Sequence, residues 1–208
     1  TLELFRAGDL EGAVAEQVGR VKSRPEDVDE RATLVALLAM AGDLQRADNQ
    51  LRVLAHDPEL MVGVNVFAEL LQASEERRRV YAGEARPGLP PGAPEWVAVR
   101  AEAFPGGLPD TDAPQVAGTI TTNTREGQAF GSTGDYDEGL GPVLAVFAGG
   151  RYLWLPFASV RSIEFGEPKS VPDLVWAQAR LWDQRGAEAV SNGDDGPAKG
   201  RELEFADL

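Results

Sequence analysis

The sequence predicts an α+β chain: helical hairpins over residues 1–83, a proline-rich linker with one short helix over 84–117, and a small antiparallel β module over 118–208. Three observations carry that prediction. Ala7-Gly8-Asp9-Leu10-Glu11-Gly12-Ala13 returns 34 residues later as Ala41-Gly42-Asp43-Leu44-Gln45-Arg46-Ala47. Seven of the 14 prolines fall between residues 84 and 118. Beyond Gly118, short apolar runs flank Gly149-Gly150, a good two-residue hairpin signal.

A 34-residue period is that of a tetratricopeptide repeat. Leu34, Leu37, Leu38 and Met40 give one helix an apolar stripe, and Gly42 ends it because glycine accepts φ > 0. Asp43 is placed to cap the next helix, whose apolar face is Ala47, Leu51 and Leu54. Asp57-Pro58-Glu59 opens a third helix to about Ala82, with Leu60, Val64, Phe67 and Leu71 as its stripe. Ser23-Arg24-Pro25-Glu26 is expected to open a helix one repeat earlier. The polar run Glu75 to Arg79 suits a solvated helix end or a partner-binding patch.

In the linker, Glu95 to Phe104 is expected to form one short helix after Pro94, the rest being extended or irregular. Trp96 there suits an anchor against the helices or an exposed patch. The β module is read as a hairpin of Pro142–Phe147 and Tyr152–Phe157, then a strand over Val160–Phe165. Leu174–Leu181 follows as a strand or irregular stretch, then a turn at Asn192–Pro197 and a last strand over Arg201–Phe205.

Composition removes several kinds of chemistry. With no cysteine, the chain has no disulfide, thiolate nucleophile or Cys-ligated metal, which is compatible with a reducing compartment. A single histidine, His56, excludes a multi-histidine metal site. The 20 basic and 34 acidic residues give a net charge of −14, spread over both halves, which repels nucleic acid and anionic membrane and steers basic partners inward. No apolar run approaches the roughly 20 residues that span a bilayer. No export signal is expected at the start, although the chain opens on Thr1 rather than methionine and leaves room for an upstream segment.

Few residues suggest a reaction. His56 lies beside Asp57-Pro58 without a nucleophile-elbow motif. Asp135, Asp137 and Glu138 cluster as a calcium loop or an acid/base pair would, but Gly139 stands where a third oxygen ligand is needed. The glycine-rich stretch Gly127–Gly134 lacks the Lys-Ser/Thr ending of a phosphate loop. Tyr152 and Trp154 share a strand face with alternating side chains, so they form either a core pair or a stacking platform.

Asp135-Tyr136-Asp137-Glu138-Gly139-Leu140-Gly141-Pro142-Val143-Leu144, Gly150-Arg151-Tyr152-Leu153-Trp154-Leu155-Pro156-Phe157 and Pro172-Asp173-Leu174-Val175-Trp176 together resemble the ImpE/SciE family, also called TagJ, accessory proteins of bacterial type VI secretion. The chain departs from the family pattern at Gly139, usually arginine, and at Ala145, usually acidic. It is also short of a helical stretch after Trp96. The resemblance implies a cytoplasmic, non-catalytic adaptor without cofactor or metal. Its implied partner is the small contractile-sheath subunit, met through a helix near that subunit's N-terminus, with an indirect link to the sheath-disassembly ATPase. Stacked helical hairpins offer a concave face for such a helix, which the β module would cap or extend. Leu34, Leu38, Leu51, Phe67 and Leu71 mark that face, though the same residues serve equally as a buried stripe. The rival classes are a metal-dependent hydrolase using Asp135 and Asp137, and a glycan-binding module using Tyr152 and Trp154.

Overall fold

A computed structural model describes residues 1–107, 113–122, 127–131, 140–183 and the backbone of 203–206. The helical region runs through α1 (Leu2–Arg6), α2 (Leu10–Ser23), α3 (Val28–Met40), α4 (Leu44–Leu54) and, after a 3₁₀ turn at Pro58–Leu60, α5 (Met61–Tyr81). The repeated seven residues form a joint between successive helices. Gly42, at φ +77°, lets its own N–H reach the Ala39 carbonyl and the Asp43 N–H reach the Leu38 carbonyl, both at 2.9 Å. These two bonds are a Schellman closure of α3. The Asp43 carboxylate then accepts from the Arg46 amide at 3.2 Å and starts α4. The earlier copy behaves alike: Asp9 donates to the Leu4 carbonyl and caps α2 through the Gly12 amide at 2.8 Å.

One expected helix start moves. Pro25 does not open α3; Asp27 caps it by accepting from the Glu30 amide. The Pro25 carbonyl instead accepts from Arg31 Nη2 at 2.7 Å.

The short helix of the linker is α6 (Glu95–Ala103). The chain before it is irregular with one turn at Pro90–Ala93, within the extended or irregular course expected, but it is docked. Gly88 donates to the Tyr152 carbonyl and accepts from the Trp154 amide, each at 2.9 Å, adding a parallel bridge to a strand of the β region. Glycine keeps the approach close, since a Cβ there would lie 2.4 Å from Leu153 Cδ2 and would push that side chain aside. Trp96 is half-buried against the core.

The β region contains β1 (Gly118–Ile120) paired with β2 (Gln128–Phe130), and the hairpin β3 (Val143–Ala148) with β4 (Arg151–Pro156). Gly149 and Gly150 both have positive φ, as a type I′ turn requires. A separate antiparallel sheet has the order β5 (Val160–Phe165), β6 (Gln178–Asp183), β7 (Leu203–Ala206). The stretch expected as strand or irregular over Leu174–Leu181 begins inside a helix, α7 (Val171–Val175), and is strand from Gln178 onward. Ser170 and Asp173 make a capping box and Pro172 sits in the first turn, so local helix chemistry prevails there.

One hydrophobic cluster runs through both regions. It joins Leu34, Leu51 and Val80 of the helices to Val97 and Phe104 of the linker and to Val143 and Trp154 of the hairpin. A smaller cluster of Val146, Leu155 and Leu181 lies on the hairpin's other face, against the β5–β6 sheet.

Candidate functional site

The hairpin is held to α5 by the residues that carry the family motif. Glu76 of α5 accepts from the Tyr152 backbone N–H at 2.7 Å and from Arg151 Nε at 3.0 Å. Gly150 rests on Gln72, where a Cβ would lie 3.1 Å from Oε1. Tyr152 and Trp154 are fully buried, and the indole N–H donates to the Tyr152 hydroxyl at 3.0 Å. Burial pushes the phenol's pKa far up, so Tyr152 stays a neutral O–H. Trp154 also meets Phe104 edge-on at 5.2 Å. Pro156 is buried at the end of β4, and the Phe157 amide donates to the Pro142 carbonyl, closing the hairpin's base. Gly141, at φ +66°, lies where a Cβ would come 2.9 Å from Arg100 Nη1 of α6.

These contacts decide for the core pair over the stacking platform. Tyr152 and Trp154 have no face open to a sugar; they join the hairpin to the helices. Asp135, Asp137 and Gly139 lie outside the described residues. Among the described residues no group of three or more acidic or histidine side chains could hold a metal. His56 is exposed, its Nδ1 at 3.0 Å from the Arg52 carbonyl, a helix-end contact. Arg77 stacks over Phe147 and Arg78 pairs with Glu75, so two of the three consecutive arginines have contacts within the chain.

The helical face behaves in two ways. Leu34, Leu38, Leu51 and Leu71 are between 1% and 7% exposed, and all sit in the central cluster. Adjacent helices and the hairpin cover that part of the stripe, so these four leucines are core rather than an open groove. Phe67 differs. It is half-buried and lines a cleft of about 950 Å³ between α3 and α5 on one side and the hairpin turn, β5, α7 and β6 on the other. Trp176, 4% exposed, meets the Phe67 ring edge-on at 5.8 Å on the cleft wall. Beside them Val66 and Phe165 are 49% and 52% exposed.

Asp173 fixes that wall. Its Oδ2 accepts from the Lys169 amide and from both the amide and hydroxyl of Ser170. Partial burial pushes its pKa up, but the Ser170 hydroxyl, the two amides and the Lys169 charge outweigh it and hold the carboxyl below its ordinary range. The short helix so capped ends at Trp176. Of the motif positions, Gly150, Asp173 and Trp176 therefore line the cleft, while Arg151, Tyr152, Trp154 and Pro156 build the scaffold behind it. The cleft itself is not legible as a site in the sequence, because its walls come from six separate elements.

A helical-repeat scaffold with a β hairpin latched to its last long helix defines a class with a solved example. The chain is similar to the crystal structure of protein VPA1032 from Vibrio parahaemolyticus, with a TM-score of 0.70 at 20% identity, covering 98% of this chain and 76% of that one. That likeness shows the fold. Residues 127–192 match the ImpE protein family model. The chain is also 33% identical over 237 aligned positions to the type VI secretion system accessory component TagJ of Pseudomonas aeruginosa, covering 99% of this chain and 80% of that protein. The chain belongs to the ImpE/TagJ family of type VI secretion accessory components.

Proposed function

We propose that this chain is a non-catalytic, cytoplasmic adaptor that takes the N-terminal helix of the small sheath subunit onto its helical-repeat face. In doing so it influences sheath handling, and it affects the sheath-disassembly ATPase only indirectly. The observation that carries this reading is the cleft at Phe67. It is an open part of the helical face, and its exposed Val66 and Phe165 offer apolar surface to a helix stripe. Family membership supports an accessory role. The net charge of −14 disfavours nucleic acid as a partner. Among the described residues no helix is long and apolar enough to cross a membrane.

The test is co-purification with the small sheath subunit, intact and with its N-terminal helix deleted. Capture of the intact subunit alone is the expected result. Equal capture of both forms overturns the docking mode, and failure to capture either overturns the partner.

A further inference from the structure

On α3 and α5, pairing divides the carboxylates by position. Glu30 is held by Arg20 and Arg24, Glu75 by Arg78, and Glu76 by Arg151. The other two acids on these helices, Asp29 and Glu69, line the cleft and have no ion-pair or hydrogen-bond partner among the described residues. Both are exposed. Across the cleft, Glu164 of β5 adds a third carboxylate, opposite Arg180 of β6 in the strand register. Asp173 is committed to its capping box. The cleft thus has an apolar floor of Phe67, Trp176, Val66 and Phe165, with negative charge on its helical rim that no described residue pairs.

We infer that the cleft selects a basic amphipathic helical segment, one whose apolar stripe is flanked by lysine or arginine. The inference deepens the proposed adaptor reading and rests on it. The apolar stripe would cover Val66 and Phe165, and the flanking cations would reach Asp29 and Glu69. The volume suits such an occupant. About 950 Å³ holds roughly two turns of a helix ~10 Å across. An acidic segment would meet like charge at the rim and across a chain of net charge −14. The same charge would speed encounter with a basic segment at low salt.

The experiment uses the full chain and a labelled synthetic peptide of about 15 residues, near the length at which an isolated helix becomes marginally stable. Its leucines are spaced at three and four and flanked by lysines; a second peptide carries glutamates in place of the lysines. Fluorescence anisotropy should give roughly tenfold tighter binding of the lysine peptide, with the gap closing at high salt. The Asp29→Asn/Glu69→Gln double variant should close most of the gap, and Phe165→Ser should weaken both peptides. All three side chains are exposed, and circular dichroism verifies the fold. Equal binding of the two peptides, or no binding of either, overturns the inference. Capture of the small sheath subunit distinguishes the two proposals. If wild type and double variant capture it equally, the charge selection falls and the adaptor reading stands. If neither captures it while the lysine peptide binds selectively, the partner falls and the selection stands.

Discussion

Glu76 and Tyr152 lie 76 positions apart and meet through a 2.7 Å hydrogen bond, from the Tyr152 backbone N–H to the Glu76 carboxylate. The same carboxylate holds Arg151, so one side chain of α5 fixes the first two residues of β4. Glu76→Ala should leave the buried-side amide of Tyr152 without its acceptor and cost about 1–3 kcal/mol. Arg151→Ala should cost at most about 1 kcal/mol, because that guanidinium is half exposed. Urea denaturation of the two variants gives the ratio.

Tyr152→Phe should leave the Trp154 indole N–H without its acceptor in a fully buried site, again at about 1–3 kcal/mol. Adding Trp154→Phe removes the donor, so the double variant should be destabilised by less than the sum of the singles. A double-mutant cycle measures the coupling. The phenol also sets a pH dependence. Its folded pKa is raised above the ordinary 10.0 by burial, so its stabilising contribution is complete below pH 10 and is lost as the unfolded chain ionises above it. Wild-type stability should fall more steeply above pH 10 than that of Tyr152→Phe.

Asp173 has the opposite sign. Its carboxyl is held below the ordinary value of 3.8, so its contribution is present above that pH and fades as acid protonates the folded form. Asp173→Ala, which removes the box's N3 acceptor, should cost about 1 kcal/mol at neutral pH and flatten the acid limb of the stability curve. Because the capped helix ends at Trp176, tryptophan fluorescence should shift as well.

Two glycines should respond oppositely to alanine. Gly42, at φ +77°, carries the joint between α3 and α4, and Gly42→Ala should destabilise by about 1–2 kcal/mol. Gly19 lies inside α2 with nothing within 4 Å of a built Cβ, so Gly19→Ala should stabilise by about 0.5–1 kcal/mol. Thermal melts of both variants decide the matter.

What could be read from the residues in order was local. The repeated Ala-Gly-Asp-Leu announced the joint, since glycine at the stop and aspartate at the start are chemical requirements of helix ends. Gly149-Gly150 announced the hairpin for the same kind of reason. Asp27 displaced Pro25 as the start of α3 because a side-chain acceptor at the cap competes directly with a proline two residues earlier. The helix at Val171 is not legible although Ser170 and Asp173 spell its box, because five residues give too little periodicity to register. Burial was the least legible property. Leu34 and Phe67 both belong to apolar stripes at helical spacing, and nothing in either stripe says that the hairpin stops short of Phe67.

The bridge at Gly88 ties the linker to β4, which Glu76 in turn ties to α5. Removing residues 84–90 would strip β4 of a neighbour, and severing the chain near Gly83 would bare Val80 and Trp154 to water. Excised halves should therefore aggregate or remain molten, and heating the intact chain should give a single calorimetric peak. A partner that gripped the cleft would bear on helices and hairpin at once, so its binding should raise the melting temperature of the whole rather than of one part.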